Sequence, residues 1–415
     1  MDRDSFPAEL ALYHRKLIIV LMSVWLLNST FQMLHSILMP SIMEAFGLNY
    51  AVIGLILLAA QLSAAGGAFF FGALADYLGR KRVLSALLPT GSFFLFLVGL
   101  SRDWFQLALA LAAFSFVSSG VFPVVFTFAS EELPPGKRGF GISVIASGYA
   151  LGGGVLASLM AAKIGLASWR TPFFIGALPT LPVLIGVLRL SESRIWLGGG
   201  GRGEGEGGRS WMEKMMNFKA FKIWRIGYLR AVVSALFVRA LASMLWVGVA
   251  RWVTVFLVVE RGMSMATGTM WFTLFGVAGF FGNWFNGWCA DRYGRRRTIS
   301  LFFSMVGLLL IMFTVLAHGE LQALLMTAPL GFSLLGLYPT TFTFTTEVLP
   351  SEARASGMAT INLFTIPLSI AMPGIIGAVS TAYSISLCFN AIALTAIIGG
   401  IALLFTMPET KAKIL

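Results

Sequence analysis

Few side chains in this 415-residue chain can do chemistry on a solute, and they cluster in a handful of stretches. In the first long apolar run Trp25, Asn28, Gln32 and His35 recur at i, i+3, i+7 and i+10, which is one face of a helix. Two amides and an imidazole in such a stripe can exchange hydrogen bonds with a polar solute, and the imidazole can carry a proton. At a rise of 1.5 Å per residue, Asn28 and Gln32 stand about 18 to 24 Å from the flanking charges Lys16 and Glu44. Gln61 in the second run lies about 22 Å from Asp76 by the same rise. Arg239 and Arg251 fall inside the seventh run, where a guanidinium either attracts an anion or snorkels toward an interface. Twelve residues apart, they point about 120° away from each other on a straight helix. Asn362, Thr365 and Ser369 form a further polar stripe beside Pro367 and Pro373, which mark a kink or hinge. Tyr149 and Tyr338 are read as packing residues that could also meet a ring. No nucleophile–base set and no cluster of metal ligands is present, so no enzyme chemistry, catalytic residue, metal or cofactor is expected.

These stripes need long apolar helices to hold them. The hydrophobic fraction is 57%, charged residues are 12%, and the mean hydropathy is +0.84, which excludes a soluble globule. Runs of about 20 apolar residues, each able to cross a bilayer, recur through the chain. The apolar runs and their breakers predict twelve spans, centred near residues 30, 62, 92, 116, 152 and 181, then 245, 277, 308, 334, 368 and 396. The expected fold is an all-α membrane protein with two six-helix halves, residues 1–190 and 223–415. Residues 191–222 join them through the low-complexity run Gly198 to Gly208, which cannot bury enough apolar surface to order itself. Trp211 to Arg225 is read either as a helix on the membrane surface or as part of a soluble linker. The first run is too long for a signal peptide and lacks a small-residue cleavage site. Cys289 and Cys388 are expected near opposite membrane faces, too far apart to pair.

Charge sets the orientation. With both termini and the linker in the cytoplasm, 24 of the 30 Lys and Arg lie on that side. Arg102, Lys163, Arg170 and Arg261 fall outside, and Arg239 and Arg251 lie within a span. The formal charge of +12 is therefore a positive-inside signal and calls for no nucleic acid.

The halves are also a duplication. Gly72-Ala-Leu-Ala-Asp-Tyr-Leu-Gly-Arg-Lys-Arg82 returns as Gly287-Trp-Cys-Ala-Asp-Arg-Tyr-Gly-Arg-Arg-Arg297 at an offset of 215. Gly120, Pro123, Phe126, Phe128, Glu131, Pro134, Arg138 and Gly141 return at an offset of 216 as Gly336, Pro339, Phe342, Phe344, Glu347, Pro350, Arg354 and Gly357. Six spans per half make the repeat parallel, with a pseudo-two-fold axis along the membrane normal. In the loops, Gly72 and Gly287 suggest close helix approach. Asp76 and Asp291 can pair with Arg80 and Arg295 or sit at a helix amino terminus, and Glu131 with Arg138, and Glu347 with Arg354, offer further partners on the same face.

With these motifs the chain resembles the major facilitator superfamily of secondary transporters. Glu131-Glu-Leu-Pro-Pro-Gly-Lys-Arg138 with Glu347 to Arg354, and Ser191-Glu-Ser-Arg-Ile-Trp196 with Pro408-Glu-Thr-Lys411, are similar to the sugar-porter and metabolite–proton symporter branches. The fifth span lacks the glutamine of sugar porters, and Gly148-Tyr-Ala-Leu-Gly-Gly-Gly154 lacks the proline of drug–proton antiporters. The resemblance implies alternating access, with Gly72, Asp76, Arg80, Glu131 and Arg138 and their repeats Gly287, Asp291, Arg295, Glu347 and Arg354 latching the cytoplasmic side when the protein opens outward. Plain loop charges that set topology are the competing reading.

The expected cargo is a small polar organic metabolite, with an anion favoured because buried arginines outnumber buried carboxylates. Asn28, Gln32, His35, Gln61, Arg239, Arg251, Asn362 and Thr365 are the candidate substrate contacts. All 18 Asp and Glu lie in termini, linker, loops or span ends, so proton coupling falls to His35, Glu131 or Glu347. Uniport or exchange, export of amphipathic compounds, and a non-transporting receptor on the same scaffold are the alternatives. The partners expected are the cargo, protons and the bilayer; the chain is taken as a monomer of the plasma membrane with both termini cytoplasmic.

Overall fold

The computed structural model describes residues 8–134, 138–162, 168–198, 229–348 and 354–410. Every regular element among them is helical. In chain order come α1 (Ala8–Ile37), α2 (Met39–Phe46), α3 (Tyr50–Leu78), α4 (Arg80–Leu100), α5 (Trp104–Ser119), α6 (Val121–Glu132) and α7 (Arg138–Tyr149). A π-helical segment, Ala150–Leu156, leads into α8 (Ala157–Met160), α9 (Thr171–Gly176), α10 (Thr180–Leu188) and α11 (Arg194–Gly198). Then follow α12 (Leu229–Val255), running on as the π-helical Phe256–Glu260, α13 (Met265–Tyr293) and α14 (Arg295–Leu316). The last three are α15 (Glu320–Val348), α16 (Arg354–Ala382) and α17 (Ile385–Thr406). The surface helix considered at Trp211 to Arg225 lies outside the described residues.

Ten stretches among the described residues are long and apolar enough to cross a membrane. The fifth expected span corresponds to the helical stretch that includes Val144–Met160, and the eleventh to α16, which includes Pro367–Ala382. Local sequence explains where elements start and stop. Asp103, Ser264 and Ser384 each precede a helix, and their side chains accept a backbone N–H of the first turn. Gly47, at φ 62°, closes α2 in the left-handed conformation that favours glycine.

The chain folds as two compact units, Met1–His35 with Ala59–Trp211 and Ser36–Leu58 with Met212–Leu415. In the first, Leu17, Leu21 and Val24 of α1 pack with Leu84, Val125, Phe128 and Ile145. In the second, Trp252, Trp271, Phe272, Phe275 and Phe313 are fully buried, and Trp271 stacks on Phe275 with centroids 4.5 Å apart. Leu62, Phe105, Leu109 and Phe405 stay exposed, as residues facing lipid do. The segment Ser36–Leu58, placed by sequence among the first six spans, packs with the second unit. There a Cβ on Gly54 would lie 3.0 Å from Gly377 Cα, and Thr254 Oγ1 donates to the Ser36 carbonyl at 2.6 Å.

The same packing device recurs in both units. A Cβ on Gly67 would stand 1.8 Å from the Phe116 carbonyl oxygen, and one on Gly282 would stand 2.0 Å from that of Phe332. Only glycine lets α3 meet α5, and α13 meet α15, backbone to backbone. The expectation of close approach at Gly72 and Gly287 is corrected here. A Cβ on Gly72 would meet Pro123 at an ordinary 3.9 Å, and one on Gly287 would meet nothing within 4 Å. The tight contacts sit five residues earlier, deeper in each helix.

Candidate functional site

Two kinds of polar group stand out: charge clusters at one end of each unit, and isolated polar groups within the membrane-spanning lengths. The clusters begin at a one-residue turn. Gly79 (φ 104°) lies between α3 and α4, and Gly294 (φ 96°) lies between α13 and α14. Positive φ reverses the chain sharply at little cost only for glycine. It leaves Asp76 and Arg80 at i and i+4 across the turn, with Arg80 Nη2 2.9 Å from Asp76 Oδ1. Arg295 Nη1 lies 3.0 Å from Asp291 Oδ1 in the same way.

Each arginine also holds a glutamate from the end of the span that follows. Arg80 Nη2 reaches Glu131 Oε1 at 2.8 Å, and Arg295 Nη2 reaches Glu347 Oε1 at 3.0 Å. The outer aspartates are largely exposed, whereas the Arg80 and Glu131 side chains are 11% and 12% exposed. The inner pair is therefore the stronger one in each cluster.

A third motif completes the clusters, a role that sequence reasoning missed. The Glu192 carboxylate accepts the Lys81 and Arg82 backbone N–H at 2.9 and 3.3 Å, and Glu409 accepts those of Arg295 and Arg296 at the same distances. Each carboxylate sits at a helix amino terminus, where unpaired N–H groups and the helix dipole favour negative charge. It also fills the space a Cβ would take at Gly79 or Gly294, 2.5 Å away in both. Ser193 Oγ donates to Glu131 Oε2 at 2.6 Å and Thr410 Oγ1 to Glu347 Oε2 at 2.5 Å. The signal was present in sequence: Glu192 and Ser193 return as Glu409 and Thr410 at a common offset of 217. The first cluster alone adds Glu132, almost fully buried, which accepts the Arg194 backbone N–H at 2.7 Å. The side chains of Arg138 and Arg354 lie outside the described residues.

Within the membrane-spanning lengths the units differ. In the first, Asn28 and Gln32 of α1 are joined through Ser118 of α5. Gln32 Nε2 donates to Ser118 Oγ at 3.1 Å, and Ser118 Oγ donates to Asn28 Oδ1 at 2.9 Å. One turn before Asn28, Trp25 packs on Phe122, Phe126 and Tyr149, with ring centroids 5.5 to 5.6 Å away. His35 is buried near the end of α1, and Gln61 is half-buried in α3 without being drawn into this cluster.

In the second unit Arg239 is only 9% exposed inside the span Val232–Glu260. Its guanidinium lies 3.9 Å from the Phe342 ring centroid. Two turns along α12, Trp246 meets Tyr338 edge-on at 6.0 Å and Phe275 at 6.2 Å, while Tyr338 donates to the Ala242 carbonyl at 3.1 Å. Arg239, Ala242 and Trp246 share one helical face, as do Tyr338 and Phe342 on α15. The result is a guanidinium beside an aromatic wall of which sequence singled out only Arg239 and Tyr338. Arg251 is placed differently: its Nη1 donates to Ser36 Oγ at 2.9 Å. Thr365 is buried and its carbonyl accepts from Ser369 Oγ at 3.3 Å; the side chain of Asn362 lies outside the described residues. No group of three His, Cys, Asp or Glu that could hold a metal ion occurs among the described residues, and both cysteines are free.

Known proteins share this architecture. The sequence model of the Major Facilitator Superfamily matches residues 21–371 and 270–414. A Cupriavidus pinatubonensis protein named "Probable 4-methylmuconolactone transporter" is 24% identical over 94% of this chain and 89% of its own length. A Pseudomonas putida gallate transporter is 26% identical over 77% of this chain and 75% of its own. The xylose transporter XylE from E. coli, in an inward open conformation, superposes with a TM-score of 0.73 at 14% identity, covering 97% of this chain and 98% of that one. At that identity XylE speaks for the fold alone.

Proposed function

Since this chain belongs to the Major Facilitator Superfamily, a family of membrane transporters built on twelve helices, we propose that it moves a small ring-bearing organic acid by alternating access, with Arg239 as the partner of the carboxylate. The observation that carries this reading is the Arg239 guanidinium, buried within a membrane span and set against Phe342. A charge at membrane depth costs about 2.5–3.5 kcal/mol on insertion scales, so such residues are kept for function. The ring face of Phe342 offsets part of that cost, by about 2 kcal/mol for a desolvated cation–π contact. A carboxylate would bind the guanidinium in a two-pronged pair. The neighbouring Trp246 and Tyr338 offer faces on which a flat ring can stack. The two relatives above are named for gallate and 4-methylmuconolactone, both cyclic compounds, which agrees with that chemistry.

In this reading the charge clusters lie in the cytoplasm and the protein works in the plasma membrane as a monomer. Residues 1–190 and 223–415 are the moving halves, and residues 191–222 are the tether. Uptake is driven by protons. Glu131 and Glu347 are ion-paired with Arg80 and Arg295 near the ends of their spans, and we assign coupling to His35, an imidazole buried in α1. Gln32, Gln61, Arg251, Asn362 and Thr365 remain candidate contacts, with the half-buried Arg251 ranked below the buried Arg239.

The test is uptake of radiolabelled benzoate and gallate into proteoliposomes. Wild-type protein should take up at least one of them faster when the outside is acid, and Arg239→Gln should cut that uptake about a hundredfold, the weight of a lost charge-assisted hydrogen-bond pair. His35→Gln should retain exchange of internal for external substrate but lose the acid stimulation. Uptake indifferent to the pH gradient would replace symport by uniport or exchange. Binding without flux would turn the protein into a receptor.

A further inference from the structure

The first unit carries a hydrogen-bond relay whose polarity is set by a single hydrogen. Ser118, 2% exposed, accepts from Gln32 Nε2 and therefore gives its own proton to Asn28 Oδ1. The Asn28 carbonyl is thereby committed, and the amide can turn only its N–H groups elsewhere. Asn28 is 6% exposed, and its Nδ2 meets no acceptor among the described residues. A buried amide donor left unmatched is costly and needs an explanation. Its surroundings supply one: Trp25, Phe122, Phe126 and Tyr149 form an aromatic group one turn away on the same side of α1. A lone donor beside a cluster of rings is the usual make-up of a site that binds a mostly apolar ligand through one placed polar group.

Resting on the reading that the cargo is a ring-bearing acid, we propose that Asn28 is a specificity residue that donates to an oxygen on the ring, and that Ser118 is the positioning residue that points it. The ligand group that meets Asn28 must be an acceptor, such as a ring hydroxyl or a lactone carbonyl. At the offset of 216 that relates the flanking motif, Ser118 falls against Leu334, which has no hydroxyl with which to form this relay. The device therefore belongs to one repeat and is not part of the duplicated framework.

The experiment compares uptake efficiency, kcat/KM, for benzoate with that for 3- and 4-hydroxybenzoate in proteoliposomes holding the full chain. Wild-type protein should favour at least one hydroxybenzoate over benzoate. That preference should fall about tenfold in Asn28→Leu and in Ser118→Ala, the weight of one buried hydrogen bond, and should return in Ser118→Thr, which keeps the hydroxyl. A preference unchanged within about twofold in Asn28→Leu overturns the proposal, as does an equal fall for all three acids, which marks a purely structural role. Should Asn28→Leu not reach the membrane, Ser118→Ala with its threonine rescue decides by the same ratio. Wild-type protein that moves none of the three acids overturns the underlying reading and this inference with it.

Discussion

At the scale of the residue, the clearest pairing in the molecule is an arginine shared between two carboxylates of unequal exposure. Asp76 and Asp291 are more than 70% exposed and contribute little through their ion pairs. Glu131 and Glu347 hold the same arginines largely out of water and also accept a hydroxyl from Ser193 or Thr410. Replacing Glu131 by Gln should therefore destabilise the first unit by about 3 kcal/mol, because it removes the buried counter-charge and leaves Arg80 only the exposed carboxylate of Asp76. Asp76→Asn should cost under about 1 kcal/mol. Thermal unfolding of the detergent-solubilised variants, followed by a thiol- or tryptophan-based signal, would measure the difference, and equal shifts would show that exposure does not rank these pairs. The Asp76–Arg80 pair was legible in sequence because its motif recurs half a chain later, whereas Glu131, matched in sequence with Arg138, is held by Arg80. The Trp246, Phe275 and Phe342 surround of Arg239 was not. Aromatics make up 13% of the chain, so which of them meets a given arginine is decided by helix rotation and packing, which no local pattern encodes.

At the scale of the element, helix contact is decided by where backbone must touch backbone. Gly67 and Gly282 are the points at which α3 and α13 approach their neighbours too closely for any Cβ. Gly282→Ala should overpack the contact by about 1–3 kcal/mol and lower the yield of folded protein. Gly287→Ala, with nothing within 4 Å of the added carbon, should not lower it. Size-exclusion profiles of the two variants check this, and equal profiles would contradict it. Sequence favoured the glycine of the visible motif, but the packing glycine lies in an apolar stretch where glycine is common and its contact partner is far away in the chain. The spans themselves were legible, since apolar length is what a bilayer demands. The fifth and eleventh carry irregularities, the π-helical Ala150–Leu156 in one and Pro367 and Pro373 inside the 29-residue α16 in the other. The segment Ser36–Leu58 clusters with the second unit. Its attachment to the second unit rests on Ser36 with Arg251 and Thr254, and on Gly54 with Gly377. These contacts join residues more than 200 positions apart, and nothing local in the sequence announces them. Ser36→Ala removes a hydroxyl and not the Thr254 bond to its carbonyl, so it should weaken this attachment less than Gly377→Leu. Accessibility of a cysteine introduced at Asn49 would report the order, and it should rise more in Gly377→Leu.

At the scale of the whole molecule, a duplicated framework carries an unduplicated chemistry. The charge clusters repeat in their main parts, down to the glutamates that accept backbone N–H groups just after the turns at Gly79 and Gly294. The groups at membrane depth do not repeat. Phe126 and Phe342 are matching positions, yet the first packs on Trp25 and the second on Arg239. If the groups that break the repeat choose the cargo, as proposed, a change at Arg239 should cost transport and not the fold. The most direct measurement is uptake of benzoate and gallate by proteoliposomes holding wild-type protein or Arg239→Gln, with inserted protein quantified in each preparation. The account predicts carboxylate uptake in the wild type and about a hundredfold less in the variant at equal insertion. Undiminished uptake by inserted Arg239→Gln would contradict it.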